Sequence, residues 1–175
     1  HHIKKYYEFQ NFKTIFRNRN YILSKNNTKL NYELNNNIKF LLTTSGTTRD
    51  PKCAKITLQS IKKNTESIIE YLKISSKDRT ITTMPLNYSY GLSVINSHFM
   101  AGASIVPTNY SVIEKKFWDL SKKCEITNLN GVPYFYEIIN RIGLKRLDNL
   151  NKLKFLTQAG GSLEQNLFLN LRNYF

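Results

Sequence analysis

The run T-I-T-T-M-P-L-N-Y-S-Y-G-L-S-V-I-N-S-H-F-M-A-G-A-S-I-V, residues 80–106, decides the fold class. Thr80 to Met84 is rich in β-branched residues, which favour extended backbone, and Pro85 ends the strand because it has no N–H to give to a ladder. Leu92 to Met100 reads as a helix that stops before Gly102, where a left-handed cap costs glycine little. Ala103 to Val106 is a second short strand. Strand, helix and strand in so short a stretch make a βαβ unit, and the helix carries the chain back so that the two strands run parallel.

The same alternation continues in both directions. Downstream, Ser111-Val112-Ile113-Glu114 has capping-box spacing and predicts a helix from Val112 to about Lys123, followed by a strand at Ile126 to Leu129. Pro133 suits a first helical turn, where its missing N–H is not needed. It leads the apolar positions Phe135, Ile138, Ile139 and Ile142 up to Gly143. Leu153 to Gln158 is the last predicted strand, and Ser162 to Gln165 opens a final helix.

Upstream, Ile38 to Thr43 and Ala54 to Thr57 read as strands on either side of a polar loop. Leu58, Ile61, Thr65, Ile68, Ile69 and Leu72 then form one stripe of a helix over about 58–73, with Thr57 as its N-cap. Residues 1–37 carry no sustained period. A short helix within His1 to Phe16 and a loop or irregular hairpin over Asn18 to Asn37 are expected there, as an incomplete N-terminal segment. Residues 38–175 are expected to form one α/β subdomain with a mostly parallel sheet and flanking helices.

Composition bounds the function. The 175 residues include 26 Lys+Arg and 12 Asp+Glu, a net charge of +14, with 41% hydrophobic and 13% aromatic residues. Disordered chains are poor in such residues, so a packed core is expected. No apolar run approaches the roughly 18 to 20 residues of a membrane span, which predicts a chain with no membrane partner. Two widely separated cysteines, Cys53 and Cys124, suit a reducing compartment, and a cytoplasmic location is expected. The basic residues come in scattered pairs such as Lys62-Lys63, Lys115-Lys116 and Lys122-Lys123. That spacing favours solvated helix faces over one phosphate-binding patch, so nucleic acid is not the expected partner. No Cys or His spacing suits a metal site.

The loop Thr43-Thr44-Ser45-Gly46-Thr47-Thr48-Arg49-Asp50-Pro51-Lys52 carries the chemistry. Gly46 allows backbone N–H groups to approach oxygens closely, the Thr and Ser hydroxyls add donors, and Lys52 supplies a cation. Together these replace water around a polyphosphate. It is not the common P-loop, since no G-x-x-x-x-G-K-[ST] is present, and by composition alone a plain turn competes with a phosphate site.

The order of residues goes further. T-S-G-T-T-x-x-P-K at Thr44, Ser45, Gly46, Thr47, Thr48, Pro51 and Lys52 resembles the phosphate-loop signature T-S-G-[ST]-T-G-x-P-K-G of the adenylate-forming superfamily. That superfamily comprises acyl-CoA and aryl-CoA synthetases, luciferases and the adenylation domains of peptide synthetases. Pro85-Leu86-Asn87-Tyr88-Ser89-Tyr90-Gly91-Leu92 resembles its P-L-x-H-x-x-G-L segment, Gly131-Val132-Pro133 its G-V-P, and Gly160-Gly161-Ser162 with Leu163 its adenosine-side loop. The chain departs from the pattern at Arg49 and Cys53, where the family has glycine, and at Leu58 and Tyr88, where it has histidine. Arg49 either clashes where the backbone needs positive φ or adds a cation to the phosphate site.

The resemblance implies part of the N-terminal core subdomain of an adenylate-forming enzyme, residues 38–175 being its nucleotide-binding portion. It implies ATP and Mg2+, a carboxylic acid substrate (fatty, aryl or amino acid), and CoA or a carrier-protein thiol as acceptor. Thr44, Ser45, Gly46, Thr47, Thr48 and Lys52 are then the phosphate residues, with Lys52 in the catalytic role. Ala159, Gly160 and Gly161 face adenosine, and Tyr88, Gly131 and Val132 lie near the acyl pocket. The family's Y-G-x-T-E segment, whose Glu helps hold magnesium, its T-G-D segment and its C-terminal domain are not in this chain, so an inactive fragment of a longer ligase is expected. The alternative is a non-catalytic basic α/β module that binds nucleic acid or serves as a scaffold, for which charge is the only argument.

Overall fold

The computed structural model describes residues 12–17, 22–26, 35–43, 53–86 and 88–174. They group into two compact units, His1–Asn36 and Asn37–Phe175. In the first unit β1 (Phe12–Arg17) pairs antiparallel with β2 (Ile22–Asn26), with a register shift between Thr14 and Phe16. The short helix expected within His1 to Phe16 therefore does not include Phe12 to Phe16, and residues 1–11 lie outside the described residues. Phe12, Thr14, Ile15 and Phe16 are aromatic or β-branched, types that lose rotamer freedom in a helix and fit a pleated strand.

In the second unit β3 (Ile38–Thr43) pairs antiparallel with β4 (Cys53–Thr57), so the two expected strands form a hairpin in which Thr43 lies opposite Cys53. β4 runs directly into α1 (Leu58–Leu72), and Thr57 caps it as expected, its Oγ1 accepting from the Ser60 N–H at 3.1 Å. Lys73 closes the helix in a left-handed conformation at φ 52°.

The remaining strands are β5 (Arg79–Ile81), β6 (Ser104–Val106), β7 (Asn128–Gly131) and β8 (Phe155–Gln158), joined by α2 (Ser89–Met100), α3 (Lys115–Lys123) and α4 (Pro133–Ile142). They form a parallel sheet in the order β6-β5-β7-β8, and α5 (Gln165–Tyr174) follows β8. The α/β class with a mostly parallel sheet and flanking helices is therefore the observed architecture. No helix among the described residues is long and apolar enough to cross a membrane. Lys62 and Lys63 on α1, and Lys115, Lys116, Lys122 and Lys123 on α3, are exposed.

The strand expected over Thr80 to Met84 ends at Ile81, short of Pro85, and α2 starts at Ser89 instead of Leu92; two further boundaries moved for reasons visible in the hydrogen bonds. The helix expected from Val112 begins at Lys115, because only half of the capping box forms. The Glu114 carboxylate accepts from the Ser111 N–H at 2.6 Å, while the Ser111 carbonyl accepts from the Glu114 N–H at 2.9 Å and closes a turn. The strand expected at Ile126 to Leu129 lies two residues later, since its ladder is set by pairing Asn128 with both Thr80 and Phe155.

The sheet has two unlike faces. Leu129 joins Phe117 and Trp118 of α3, Phe135, Tyr136 and Ile139 of α4, and Leu167 and Leu171 of α5 in an apolar core. Its rings meet edge to face, with centroids 5.4 Å apart for Phe117 and Trp118 and 5.2 Å for Phe135 and Tyr136. Asn128 and Asn130, on the alternate positions of the same strand, turn the other way, toward α2.

Candidate functional site

In an open parallel sheet, ligands bind beyond the carboxyl ends of the strands. Here Gly131 ends β7 opposite Gln158, which ends β8, and the Ala159 N–H donates to the Gly131 carbonyl at 3.4 Å. Gly131-Val132-Pro133 and Ala159-Gly160-Gly161 therefore leave the sheet side by side. Pro133 takes the first helical turn of α4, with Val132 as N-cap.

Tyr88, the N-cap of α2, reaches the same place. Gly160 has φ +92°, a conformation that side chains disfavour. A Cβ built there would sit 2.5 Å from the Tyr88 hydroxyl and 3.4 Å from Val132 Cγ1. At Gly161 a Cβ would meet Pro133 Cγ at 3.2 Å, and the Gly161 carbonyl accepts from Gln158 Nε2 at 2.8 Å. Tyr88, Val132 and Gly160, which the sequence had to treat as three separate motifs, are thus one contact. Gly160→Ala is expected to cost about 1 to 3 kcal/mol, because backbone strain and the collision with Tyr88 act together. A urea titration of the variant against the parent protein checks this, and an unchanged midpoint would show that the turn tolerates a side chain.

Thr44, Ser45, Gly46, Thr47, Thr48 and Lys52 lie outside the described residues. Among the described residues, no group of three or more His, Cys, Asp and Glu could hold a metal ion.

A buried polar chain beneath the site escaped the sequence reading. The Tyr90 hydroxyl donates to Thr157 Oγ1 at 2.7 Å, and Thr157 Oγ1 donates in turn to Asn130 Oδ1. Asn130 Nδ2 donates to Thr80 Oγ1 and to Asn128 Oδ1, each at 2.8 Å, and Asn128 Nδ2 faces His98 Nε2 at 3.1 Å. The direction of the last bond fixes the histidine. His98 Nδ1 lies 2.7 Å from the Val94 carbonyl, which can only accept, so Nδ1 carries the proton and Nε2 accepts from Asn128. His98 is 1% exposed, and burial pushes its pKa down against the bonds to Val94 and Asn128, in keeping with a neutral ring. Burial likewise pushes the Tyr90 phenol up, against hydrogen bonds to Thr157 and Gly131, so it stays protonated. The one sequence signal for this chain was the alternation Asn128-Leu129-Asn130, which puts both amides on one face of a strand.

Between α1, α2 and the polar face of β7 and β8 lies an open groove of about 620 Å3, running from Ala159 and Gln158 at the site to His98 and Ile74 at its far end. A second groove of about 460 Å3 lies between β8 and α5, against Tyr136, Leu163 and Phe168.

Three kinds of similarity bear on this arrangement. The family model described as AMP-binding enzyme matches residues 9–175. A probable CoA ligase, CCL9, of Humulus lupulus is 27% identical over 141 residues, covering 79% of this chain and 27% of that protein. An oxalate–CoA ligase of Arabidopsis thaliana is 28% identical over 137 residues, covering 77% of this chain and 27% of that protein. Among solved structures, ATP-bound MatB from Rhodopseudomonas palustris matches with a TM-score of 0.62 and 25% identity, over 73% of this chain and 25% of that one. The chain spans about a quarter of the length of the curated relatives it matches.

Proposed function

The chain belongs to the AMP-binding enzyme family, and from that membership we propose that it is the nucleotide-binding part of an ATP-dependent ligase that activates a carboxylic acid. A carboxylate oxygen attacks the α-phosphorus of ATP, the bond from that phosphorus to the bridging oxygen breaks, and pyrophosphate leaves with the electron pair. The sulfur of a thiol then attacks the acyl carbon of the acyl-adenylate, the bond from that carbon to the phosphate oxygen breaks, and AMP leaves as the thiol proton is lost. CoA is the acceptor favoured by the relatives' names. The observation that carries the reading is the contact of Tyr88, Val132 and Gly160 at the carboxyl edge of the parallel sheet, in a chain that matches the family over residues 9–175.

Each group of residues then has a physical task. Three phosphates and an approaching carboxylate repel one another, so the site must position them and neutralise charge without forming a covalent enzyme intermediate. Lys52 supplies the cation, and Thr44, Ser45, Gly46, Thr47 and Thr48 supply donors to phosphate oxygens. Ala159, Gly160 and Gly161 present backbone to adenosine, the two glycines leaving room for the Tyr88 hydroxyl and the Pro133 ring that pack against the turn, while Tyr88, Gly131 and Val132 border the acyl group. The described residues hold no acidic cluster that fits Mg2+, and no step is routed through it.

ATP–pyrophosphate exchange by the whole protein tests the reading. Lys52→Ala is expected to lower the exchange rate by about 100-fold or more, the usual loss when one preorganised charge-stabilising group is removed. Exchange that is indifferent to Lys52 would overturn the assignment of the phosphate residues. The activity is expected of the whole protein, and adenylation by these 175 residues alone would contradict the proposal that they are an incomplete catalytic unit.

A further inference from the structure

The buried chain from His98 to Tyr90 keeps its present sense only while the histidine is neutral. His98, Asn128 and Asn130 are 1%, 0% and 2% exposed, so solvent does not compensate a mismatch among them. The Val94 carbonyl takes the proton of His98 Nδ1, which leaves Nε2 a lone pair, and Asn128 offers it Nδ2. That choice turns Asn128 Oδ1 toward Asn130 Nδ2, and Asn130 Oδ1 toward Thr157 Oγ1, whose proton it takes. Thr157 Oγ1 is left to accept from the Tyr90 hydroxyl. One ring tautomer on α2 thus sets the direction of each bond as far as the site.

The far end of the chain joins the two segments that meet in the site. Tyr90 lies in the first turn of α2, just after Tyr88, and Thr157 lies on β8, just before the Ala159-Gly160-Gly161 turn. The Tyr90–Thr157 bond therefore clamps the segment that carries the Tyr88 hydroxyl to the segment that carries Gly160, where the two approach too closely to admit a Cβ.

Protonating Nε2 would set a donor against Asn128 Nδ2. Either that contact breaks, or both amides turn over, Asn130 Nδ2 donates to Thr157 Oγ1, and the Tyr90 proton is expelled from the chain. Around the ring, β6, β7 and β8 carry no titratable side chain, while Tyr71 of α1 and Tyr90 of α2 line the groove with it. Burial holds the ring's pKa down, against the bonds to Val94 and Asn128 and the charge of Asp78, which is itself paired with Lys154.

We infer that His98 is a positioning residue: its neutral ring, acting through Asn128, Asn130 and Thr157, holds Tyr90 in place and so keeps the Tyr88–Gly160 contact closed for ATP. The inference rests on the acid-activating function proposed above and adds a residue that acts on its nucleotide site from a distance.

The test is ATP binding by the whole protein, measured by titration calorimetry from pH 8 down to the onset of acid unfolding. The parent protein should lose affinity about tenfold, the worth of one hydrogen bond, as pH falls below the ordinary histidine value near 6.5. His98→Gln should lack that fall, because its Oε1 still accepts from Asn128 and does not titrate, while the ionisation of ATP itself is common to both proteins. His98→Met, which has no such acceptor, should bind about tenfold more weakly than His98→Gln at pH 8. Thr157→Val cuts the chain at the site end and should bind weakly without the acid-dependent fall. A merely structural role for His98 would lower the fraction of protein that binds and leave the Kd unchanged. The same pH profile in the parent and His98→Gln, a His98→Met variant that binds as the parent does, or a Thr157→Val variant with the parent's profile would each overturn the role and leave the acid-activating function intact. No binding of ATP by the parent protein would overturn both.

Discussion

Tyr136→Ala should destabilise the protein by about 3 to 5 kcal/mol, the usual cost of removing a large buried ring whose surroundings relax only in part. Tyr136 is 1% exposed and packs edge to face on Phe135 in the core shared by α3, α4 and α5. Its hydroxyl donates to the Thr157 carbonyl at 2.6 Å, with the Leu129 carbonyl at 3.2 Å, so one side chain ties α4 to both β7 and β8. Burial pushes its phenol well above the ordinary value, so the ring stays a neutral donor throughout the usable pH range. Tyr136→Phe keeps the ring and loses only the bond, and should cost about 1 to 2 kcal/mol. Thermal or urea unfolding of the two variants separates packing from hydrogen bonding; equal losses would mean that the bond carries the whole effect. Since Thr157 precedes Gln158 and the Ala159-Gly160-Gly161 turn, the alanine variant should also weaken nucleotide binding in the whole protein.

Lys154→Met should cost about 3 kcal/mol, through the charge it abandons. Asp78 is 1% exposed, and its Oδ1 accepts from Lys154 Nζ at 2.6 Å, while its Oδ2 accepts from the Ser75 N–H at 2.8 Å and the Ser75 hydroxyl at 2.9 Å. Breaking a buried pair from one side leaves a carboxylate without its cation, at a cost of about 3 to 5 kcal/mol. The lower end applies here because Lys154 is 52% exposed and Ser75 continues to donate. Adding Asp78→Asn to Lys154→Met should recover part of the loss, which a simple packing role for the lysine stem would not allow.

The pH dependence has a definite sign. Burial tends to raise the Asp78 pKa, but the bonds from Lys154, Ser75 and Thr127 outweigh it and leave the carboxyl below its ordinary value. A depressed carboxylate contributes stability that is complete above the unfolded pKa near 3.9 and is lost as pH falls through the lower folded value. Lys154→Met removes the largest of the lowering influences, so acid unfolding should begin at higher pH in that variant.

Much of this was legible in the sequence because it is local. Thr57 caps α1 through a bond spanning three residues, Pro133 and Gly143 bound α4, and Gly102 follows α2. The order of motifs around the hydroxyl-rich loop and Lys52 placed the chain in its family, a placement the family match supports. Misreadings occurred where distant partners decide. The β7 boundary follows from two neighbouring strands, whereas the start of α3 is a local exception, set by which half of a capping box formed three residues apart. The buried amides were missed because Asn in a short strand is ordinarily exposed, and only its partners on α2, β5 and β8 make it cheap to bury.

Sequence alone determined the alternation of strands and helices, the parallel sense of the sheet and the family, since backbone sterics, caps and motif order act over a few neighbouring residues. Tertiary structure alone decided that Tyr88, Val132 and Gly160 meet, that Asn128 and Asn130 are spent on an internal hydrogen-bond chain, and that a neutral groove is left beside Ala159. Those facts depend on side chains dozens of residues apart being brought together by packing, and no local preference encodes that convergence.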